Sequence, residues 1–206
     1  MHIALNAARG LACLHEVEIV HGNITSSNIF LQHETSNEVS LSEYGLNTLY
    51  HGSSSLNHRV TGYWAPEVLG TLKFTFKSDV YSFGVLLLEL LTRKIPNNAS
   101  FDKERVHFSD WVGSIVCEEP KVELFDVELL TKNRNIDNKM VELLRIAKEC
   151  VLIEPDQRPP MCDVVSMIEA HMLSRQSSNY KLKGYNDRPS LMETSDTLST
   201  ITLDTP

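Results

Sequence analysis

His21-Gly22-Asn23-Ile24-Thr25-Ser26-Ser27-Asn28 is a polar octapeptide set between apolar segments, and the fold is read outward from it. Upstream, Ile3, Leu5, Ala7, Ala8, Leu11, Ala12 and Leu14 recur at the spacing of one helix face. They predict an amphipathic helix over residues 3 to 15, with Gly10 tolerated inside it. Such a helix delivers the chain into the octapeptide at His21. Downstream, Asn28-Ile29-Phe30-Leu31 and Val39-Ser40-Leu41 predict two short strands around a polar turn at Gln32 to Glu38, which sets the octapeptide beside Glu43. At its third position stands Asn23, a neutral amide that cannot accept a proton at any ordinary pH.

With these residues in place, the octapeptide resembles the catalytic loop of protein kinases, H-R-D-L-x-x-x-x-N, with its reactive carboxylate replaced. The neighbouring motifs carry the same resemblance. Ser42-Glu43-Tyr44-Gly45 stands where a kinase has D-F-G, and Gly62-Tyr63-Trp64-Ala65-Pro66-Glu67 stands at the A-P-E position. Lys77-Ser78-Asp79-Val80-Tyr81-Ser82-Phe83-Gly84 opens an apolar run resembling the central buried helix of a kinase C-lobe. Pro155-Asp156-Gln157-Arg158-Pro159 resembles the late arginine motif. With Ile3-Ala4-Leu5-Asn6-Ala7-Ala8-Arg9-Gly10-Leu11 before the loop, the chain is most similar to plant receptor-like kinases of the leucine-rich-repeat type, over roughly residues 2 to 173.

The resemblance implies a mostly α fold: a protein-kinase-like C-terminal lobe with a small β-hairpin at the catalytic and D-F-G-like loops, and no N-lobe. Residues 1–173 would form this partial kinase domain. No glycine-rich loop, V-A-I-K lysine or helix-C glutamate precedes residue 1, so the elements that cradle ATP phosphates in this family are not encoded. No cofactor is therefore expected for this chain, with ATP and magnesium entering only if an N-lobe is supplied. Met1 reads either as a true start or as the edge of a partial gene model.

By the same resemblance, Asn23 replaces the base aspartate, a loss that typically costs ~10²–10⁴ in rate. Gly22 replaces the arginine that pairs with a phosphorylated activation segment. Thr25 replaces a lysine near the transferred phosphoryl group, and a hydroxyl cannot neutralise developing negative charge. Val60 occupies the place of a threonine that braces the catalytic aspartate. Asn28 keeps the position of the metal-holding asparagine, and Glu43 keeps a carboxylate one methylene longer than the family's metal-binding aspartate. Glu43 therefore reads either as a residual magnesium ligand with Asn28 or as a surface-facing or capping residue, because magnesium tolerates little geometric error. The degenerate positions Asn23, Asn28 and Glu43 should converge in space. Tyr44 and Gly45 read as structural, the tyrosine ring able to pack beneath the loop provided its hydroxyl finds a partner. So do Glu67 and Arg158, expected to form a buried ion pair, Asp79, expected to hold the catalytic-loop backbone, and His21, expected to pack within the core rather than bind metal.

Composition fits one medium domain plus a tail: 206 residues with 42% hydrophobic content can bury a real core. A net charge of -8 without a Lys/Arg cluster argues against a nucleic-acid partner. Cys13, Cys117, Cys150 and Cys162 lack any C-x-x-C pair and read as reduced thiols in a cytosolic setting. No apolar run reaches the ~20 residues that span a bilayer. The expected location is cytoplasmic for the chain as given, or the cytoplasmic face of the plasma membrane if it is part of a longer receptor.

Residues 79 to 92 predict a helix buried on most faces, and further helices are expected near 107 to 117, 138 to 152 and 160 to 173, with Pro160 in a first helical turn. From Ser174 the aliphatic periodicity gives way to Ser, Thr and Asn, so residues 174–206 read as a disordered tail whose hydroxyls are either phosphorylated by another kinase or simply solvated. Two functions follow. One is an inactive, pseudokinase fragment of a receptor-like kinase that serves as a protein-interaction or signalling scaffold, its partner a protein such as another receptor kinase. The alternative is the C-lobe of a weakly active ATP-dependent serine/threonine kinase.

Overall fold

The computed structural model describes residues 1–32, 38–46, 61–96 and 138–173, the backbone of 174–183, and Val112, Ser114, Leu124, Phe125, Asp126, Glu128 and Leu129 between them. The chain divides into two units, Met1–Leu173 and Ser174–Pro206, and the site lies in the first.

Helix α1, His2–Glu16, follows the predicted apolar stripe: Ala4, Leu5, Ala7, Ala8, Leu11 and Ala12 are all buried. It ends at Val17, and Glu18 turns through a positive φ of 59° toward the octapeptide. A single turn of 3₁₀ helix at Ser26–Asn28 leads into β1, Ile29–Leu31, which pairs antiparallel with β2, Val39–Leu41, in the register Ile29 to Leu41 and Leu31 to Val39. Asn28 thus belongs to the 3₁₀ turn rather than to the strand, and of the polar turn only its ends are described. Leu41 packs over Gly10 of α1, where an added Cβ would stand 3.2 Å from Leu41 Cδ1.

Pro66 starts α2, Pro66–Thr71, at a position that needs no amide hydrogen. Helix α3, Phe76–Thr92, begins three residues before the predicted boundary, because Thr75 and Ser78 form a reciprocal capping box. Ser78 N donates to Thr75 Oγ1 at 3.1 Å, and Thr75 N donates to Ser78 Oγ at 2.8 Å. Val80, Tyr81, Phe83, Val85, Leu86, Leu87, Leu88 and Leu91 are buried around its circumference, so α3 runs through the core as its composition predicts.

Helix α4, Asn138–Cys150, packs on α3 with Leu144, Ile146, Ala147 and Cys150 fully covered. The two backbones approach at Gly84, where a Cβ would meet Cys150 Cβ at 2.6 Å and Val151 Cγ1 at 2.7 Å. Helix α5, Met161–Lys183, follows Pro159 and Pro160 and buries Met161, Val164 and Ile168. It continues ten residues past the expected end at 173, so residues 174–183 are helical where the sequence predicts the start of a disordered tail. Helix propagation needs only local bonds and residues such as Arg175, Gln176, Lys181 and Lys183 favour it, whereas the reading from periodicity looked for an apolar face. Residues 184–206, with the remainder of the tail, lie outside the described residues. So does most of the predicted helix at 107 to 117, of which Val112 and Ser114 are described and helical. No helix among the described residues is long and apolar enough to cross a membrane.

Candidate functional site

The octapeptide is hung from α3 by one carboxylate. Asp79 Oδ2 accepts from His21 N at 2.7 Å, and its Oδ1 accepts from Gly22 N at 2.8 Å, with Asp79 almost fully buried. Gly22 sits at φ 73°, in the left-handed region where a side chain is strained, so glycine at this position lets the loop take its anchored shape at little cost. His15, at the end of α1, adds a third contact: its Nε2 lies 3.1 Å from Asp79 Oδ2, and its ring leans on Phe76 at 4.8 Å. Sequence reasoning missed His15. Residue spacing gave no sign of it, since the same helix also carries His2, Asn6, Arg9 and Glu16.

His21 is completely buried, and its Nδ1 accepts from Asn23 N at 3.3 Å. Burial holds its pKa below the ordinary histidine value despite the Asp79 charge, so the ring packs as a neutral group. Its Nε2 has no hydrogen-bond partner among the described residues.

The hairpin brings Glu43 onto the octapeptide. Asn23 Nδ2 donates to Glu43 Oε2 at 2.8 Å, while Asn28 Nδ2 donates to the same oxygen at 3.3 Å and to Asn23 O at 2.9 Å. A carboxylate and a carbonyl can only accept, so both amides must present their N–H groups here, and their orientation follows from the partners. Asn23, Asn28 and Glu43 therefore meet as an amide-carboxylate clasp. This donor set does not suit a magnesium ion as arranged: the one carboxylate spends Oε2 on two N–H donors, and Asn28 turns its nitrogen rather than its oxygen toward the site. Thr25 takes no part, its Oγ1 lying 2.9 Å from Ser27 Oγ.

Glu43 and Gly45 both have positive φ, 59° and 71°, and Gly45 N donates to His21 O at 3.1 Å. Tyr44 sits at the apex of this tight turn with 51% of its surface exposed, so its ring does not pack beneath the loop as the sequence reading has it. Among the described residues its ring contact is an edge approach to His21, 6.4 Å between centroids. Val60 lies outside the described residues.

A second cluster ties the loop to α3. Ser26 Oγ lies 3.1 Å from Tyr63 Oη and donates to Glu89 Oε1 at 3.0 Å, and Tyr63 Oη donates to Glu89 Oε2. Burial and the Glu89 carboxylate together push the Tyr63 phenol well above its usual pKa. Glu89 went unread in the sequence, although a lone acid inside the run Val85 to Leu91 is itself a sign of a buried partner.

Below the site, Arg158 is fully buried and forks onto Glu67, Nη1 to Oε1 at 2.6 Å and Nη2 to Oε2 at 3.0 Å. Its remaining donors reach Leu152 O at 2.7 Å, Lys77 O at 2.9 Å and Ile153 O at 2.9 Å, and its guanidinium lies 5.0 Å over the Tyr81 ring.

Comparison with known proteins agrees with this geometry. Residues 1–168 match the family model for protein tyrosine and serine/threonine kinases. Two Arabidopsis thaliana proteins named probable inactive receptor kinases, At4g23740 and At3g08680, are 48% and 44% identical to the chain over 172 residues. Each alignment covers 82% of this chain and 26% or 27% of the relative. The probable leucine-rich repeat receptor-like protein kinase At1g68400 of the same plant is 42% identical over 175 residues, covering 82% of this chain and 25% of its own length. The chain thus spans about a quarter of the length of these relatives, and it belongs to the protein tyrosine and serine/threonine kinase family.

Proposed function

We propose that this chain is a non-catalytic lobe of a plant receptor-like kinase, acting as a protein-interaction or signalling scaffold rather than as a phosphotransferase. The observation that supports this most is Asn23 Nδ2 donating to Glu43 Oε2 at 2.8 Å. A catalytic base must accept the proton of the attacking hydroxyl, but the residue at that position offers donors to a neighbouring carboxylate. The carboxylate that could hold a metal is engaged in the same contact. The scaffold below, by contrast, keeps its Asp79 anchor and Arg158–Glu67 fork, as a surface-presenting module requires. Relatives named probable inactive receptor kinases add support. On this reading the chain needs neither ATP nor magnesium, works at the cytoplasmic face of the membrane as part of a longer receptor, and takes another receptor kinase as its partner.

The test is a phosphotransfer assay on this chain and on the full-length receptor, together with thermal shifts with ATP, with and without magnesium. The expected result is no transfer and no magnesium-dependent shift. Transfer that disappears in Glu43→Ala would overturn the reading in favour of a weakly active kinase lobe, which the retained Glu43 carboxylate beside Asn28 would then explain.

A further inference from the structure

The charge state of His21 is written into its contacts. A backbone N–H can only donate, so His21 Nδ1, which accepts from Asn23 N at 3.3 Å, carries no proton in this arrangement. The one proton of the neutral ring therefore sits on Nε2, which is buried without a hydrogen-bond partner among the described residues. A second proton has only Nδ1 to bind. There it would set one N–H against another beside a residue with 0% of its surface exposed, where neither can turn to water. Asn23 could not then keep its place, and the Nδ2 of the same residue is what holds Glu43 Oε2 at 2.8 Å. Gly22, at φ 73°, is the link between the ring and Asn23.

We propose that His21 is an acid-sensitive latch: its neutral ring holds Asn23 in the clasp, and protonation of that ring releases Asn23 from Glu43 and opens the octapeptide. The groups that face the ring set the sign. Burial is the largest influence and disfavours the charged form; Asp79 on α3, a backbone hydrogen bond and Glu43 after β2 favour it, while His15 on α1 opposes it. Tyr44 presents a ring edge at 6.4 Å. The balance keeps the ring below its ordinary pKa of 6.5. A histidine depressed in the closed loop and solvated in the open one stabilises the closed form above 6.5, and that stability is lost as pH falls below 6.5 toward the closed-form value. This window opens above the range in which carboxylates titrate, so acid loosens the loop before it reaches the carboxylates that hold the fold.

The test is amide hydrogen exchange on the 206-residue chain between about pH 7.5 and about pH 5, each rate divided by its intrinsic value, with the His21 ring nitrogens followed by NMR. Opening at the Gly22 and Asn23 amides should rise as pH falls below 6.5, by at most about tenfold per pH unit for one linked proton, while α4 amides stay unchanged. At the upper end of that range Nδ1 should show the signal of an unprotonated nitrogen and Nε2 that of an N–H. His21→Asn, whose side-chain oxygen can accept from Asn23 N without titrating, should flatten the pH dependence, and His15→Gln should retain it. A proton on Nδ1 in the closed loop, opening in the parent that ignores pH, or equal opening of the α4 amides would each overturn the latch. So would a folded His21→Asn that keeps the pH dependence, or its loss in His15→Gln, which would place the proton on the other histidine. If His21→Asn does not fold, the ring nitrogens and exchange of the parent, with His15→Gln, decide alone.

Discussion

Arg158 and Glu67, 91 residues apart in sequence, meet in a two-pronged ion pair whose arginine is fully buried. The same guanidinium satisfies the carbonyls of Leu152, Lys77 and Ile153, so Arg158→Ala would strand three acceptors as well as a carboxylate. The expected loss is about 3–5 kcal/mol of unfolding free energy, read by urea denaturation. Arg158→Lys should not restore it, because a single ammonium cannot reproduce the fork. Stability of Arg158→Ala within about 1 kcal/mol of the parent, one-third of the smallest expected loss, would show that the pair is dispensable.

That pair also sets an acid limit. Burial is the largest single influence and would raise the Glu67 pKa, but the Arg158 hydrogen bonds, a backbone hydrogen bond and the Arg158 charge together outweigh it and hold the carboxyl below its ordinary value of 4.5. A depressed folded pKa stabilises the fold above the unfolded value, and that stabilisation is lost as pH falls through the folded one. Unfolding free energy should therefore decline as pH drops below about 4.5, and Glu67→Gln should be less stable at pH 7 with a flatter acid limb. An acid limb in Glu67→Gln as steep as in the parent would contradict this assignment.

Asp79 offers a sharper local readout. Three donors share its carboxylate, and replacing one oxygen by an amide in Asp79→Asn turns a donor toward either His21 N–H or Gly22 N–H. The expected cost is about 1.5–3 kcal/mol for the lost charged hydrogen bond, with exchange of those two amides accelerated more than that of α4 amides. Uniform acceleration across the domain would mean that Asp79 supports the whole fold and has no special hold on the loop.

How much of this was legible beforehand depended on whether a feature is local. Helix α1 follows from residue spacing, because one face of it is covered and the pattern records it; the β1–β2 hairpin follows from two short apolar runs around a polar turn, although Phe30 and Leu31 stay exposed. The Arg158–Glu67 pair could be reached only through family resemblance, since no periodicity links residues so far apart. The His15–Asp79 and Tyr63–Glu89 contacts stayed hidden for the same reason: each joins a side chain on one element to a carboxylate on α3. Tyr44 was misplaced because the positive φ of Glu43, which carries the turn outward, is not a preference that glutamate announces. The extension of α5 past residue 173 escaped because helix propensity without an apolar face was read as tail.

The contact at Gly84 predicts a packing defect of known direction. Gly84→Ala would place a methyl 2.6 Å from Cys150 Cβ and 2.7 Å from Val151 Cγ1, forcing α3 and α4 apart. Overpacking of this kind costs about 1–3 kcal/mol, visible as a lower Tm. A second change, Val151→Ala, should recover part of the loss. The thiol of Cys150, which burial pushes up to about 12, should resist alkylation in the parent and become reactive in Gly84→Ala. No change in either Tm or Cys150 reactivity would show that the helices separate freely.

The clasp itself is tested by putting back the family's aspartate. In Asn23→Asp the donor 2.8 Å from Glu43 Oε2 becomes a carboxylate, and the contact changes from attraction to repulsion between like charges. Two carboxylates that share a site raise the pKa of one of them above its unfolded value. The variant should therefore be less stable than the parent at pH 7, by about 1 kcal/mol at this partly exposed position, and the difference should shrink as pH falls through the raised value. Magnesium offers another escape, since the introduced aspartate and Glu43 together supply the hard oxygens that the parent clasp lacks. Millimolar magnesium should thus raise the Tm of Asn23→Asp and leave the parent unchanged, while neither protein transfers phosphate as this 206-residue chain. If magnesium stabilises the parent as much as the variant, Glu43 is free to bind metal and the amides of Asn23 and Asn28 do not hold it.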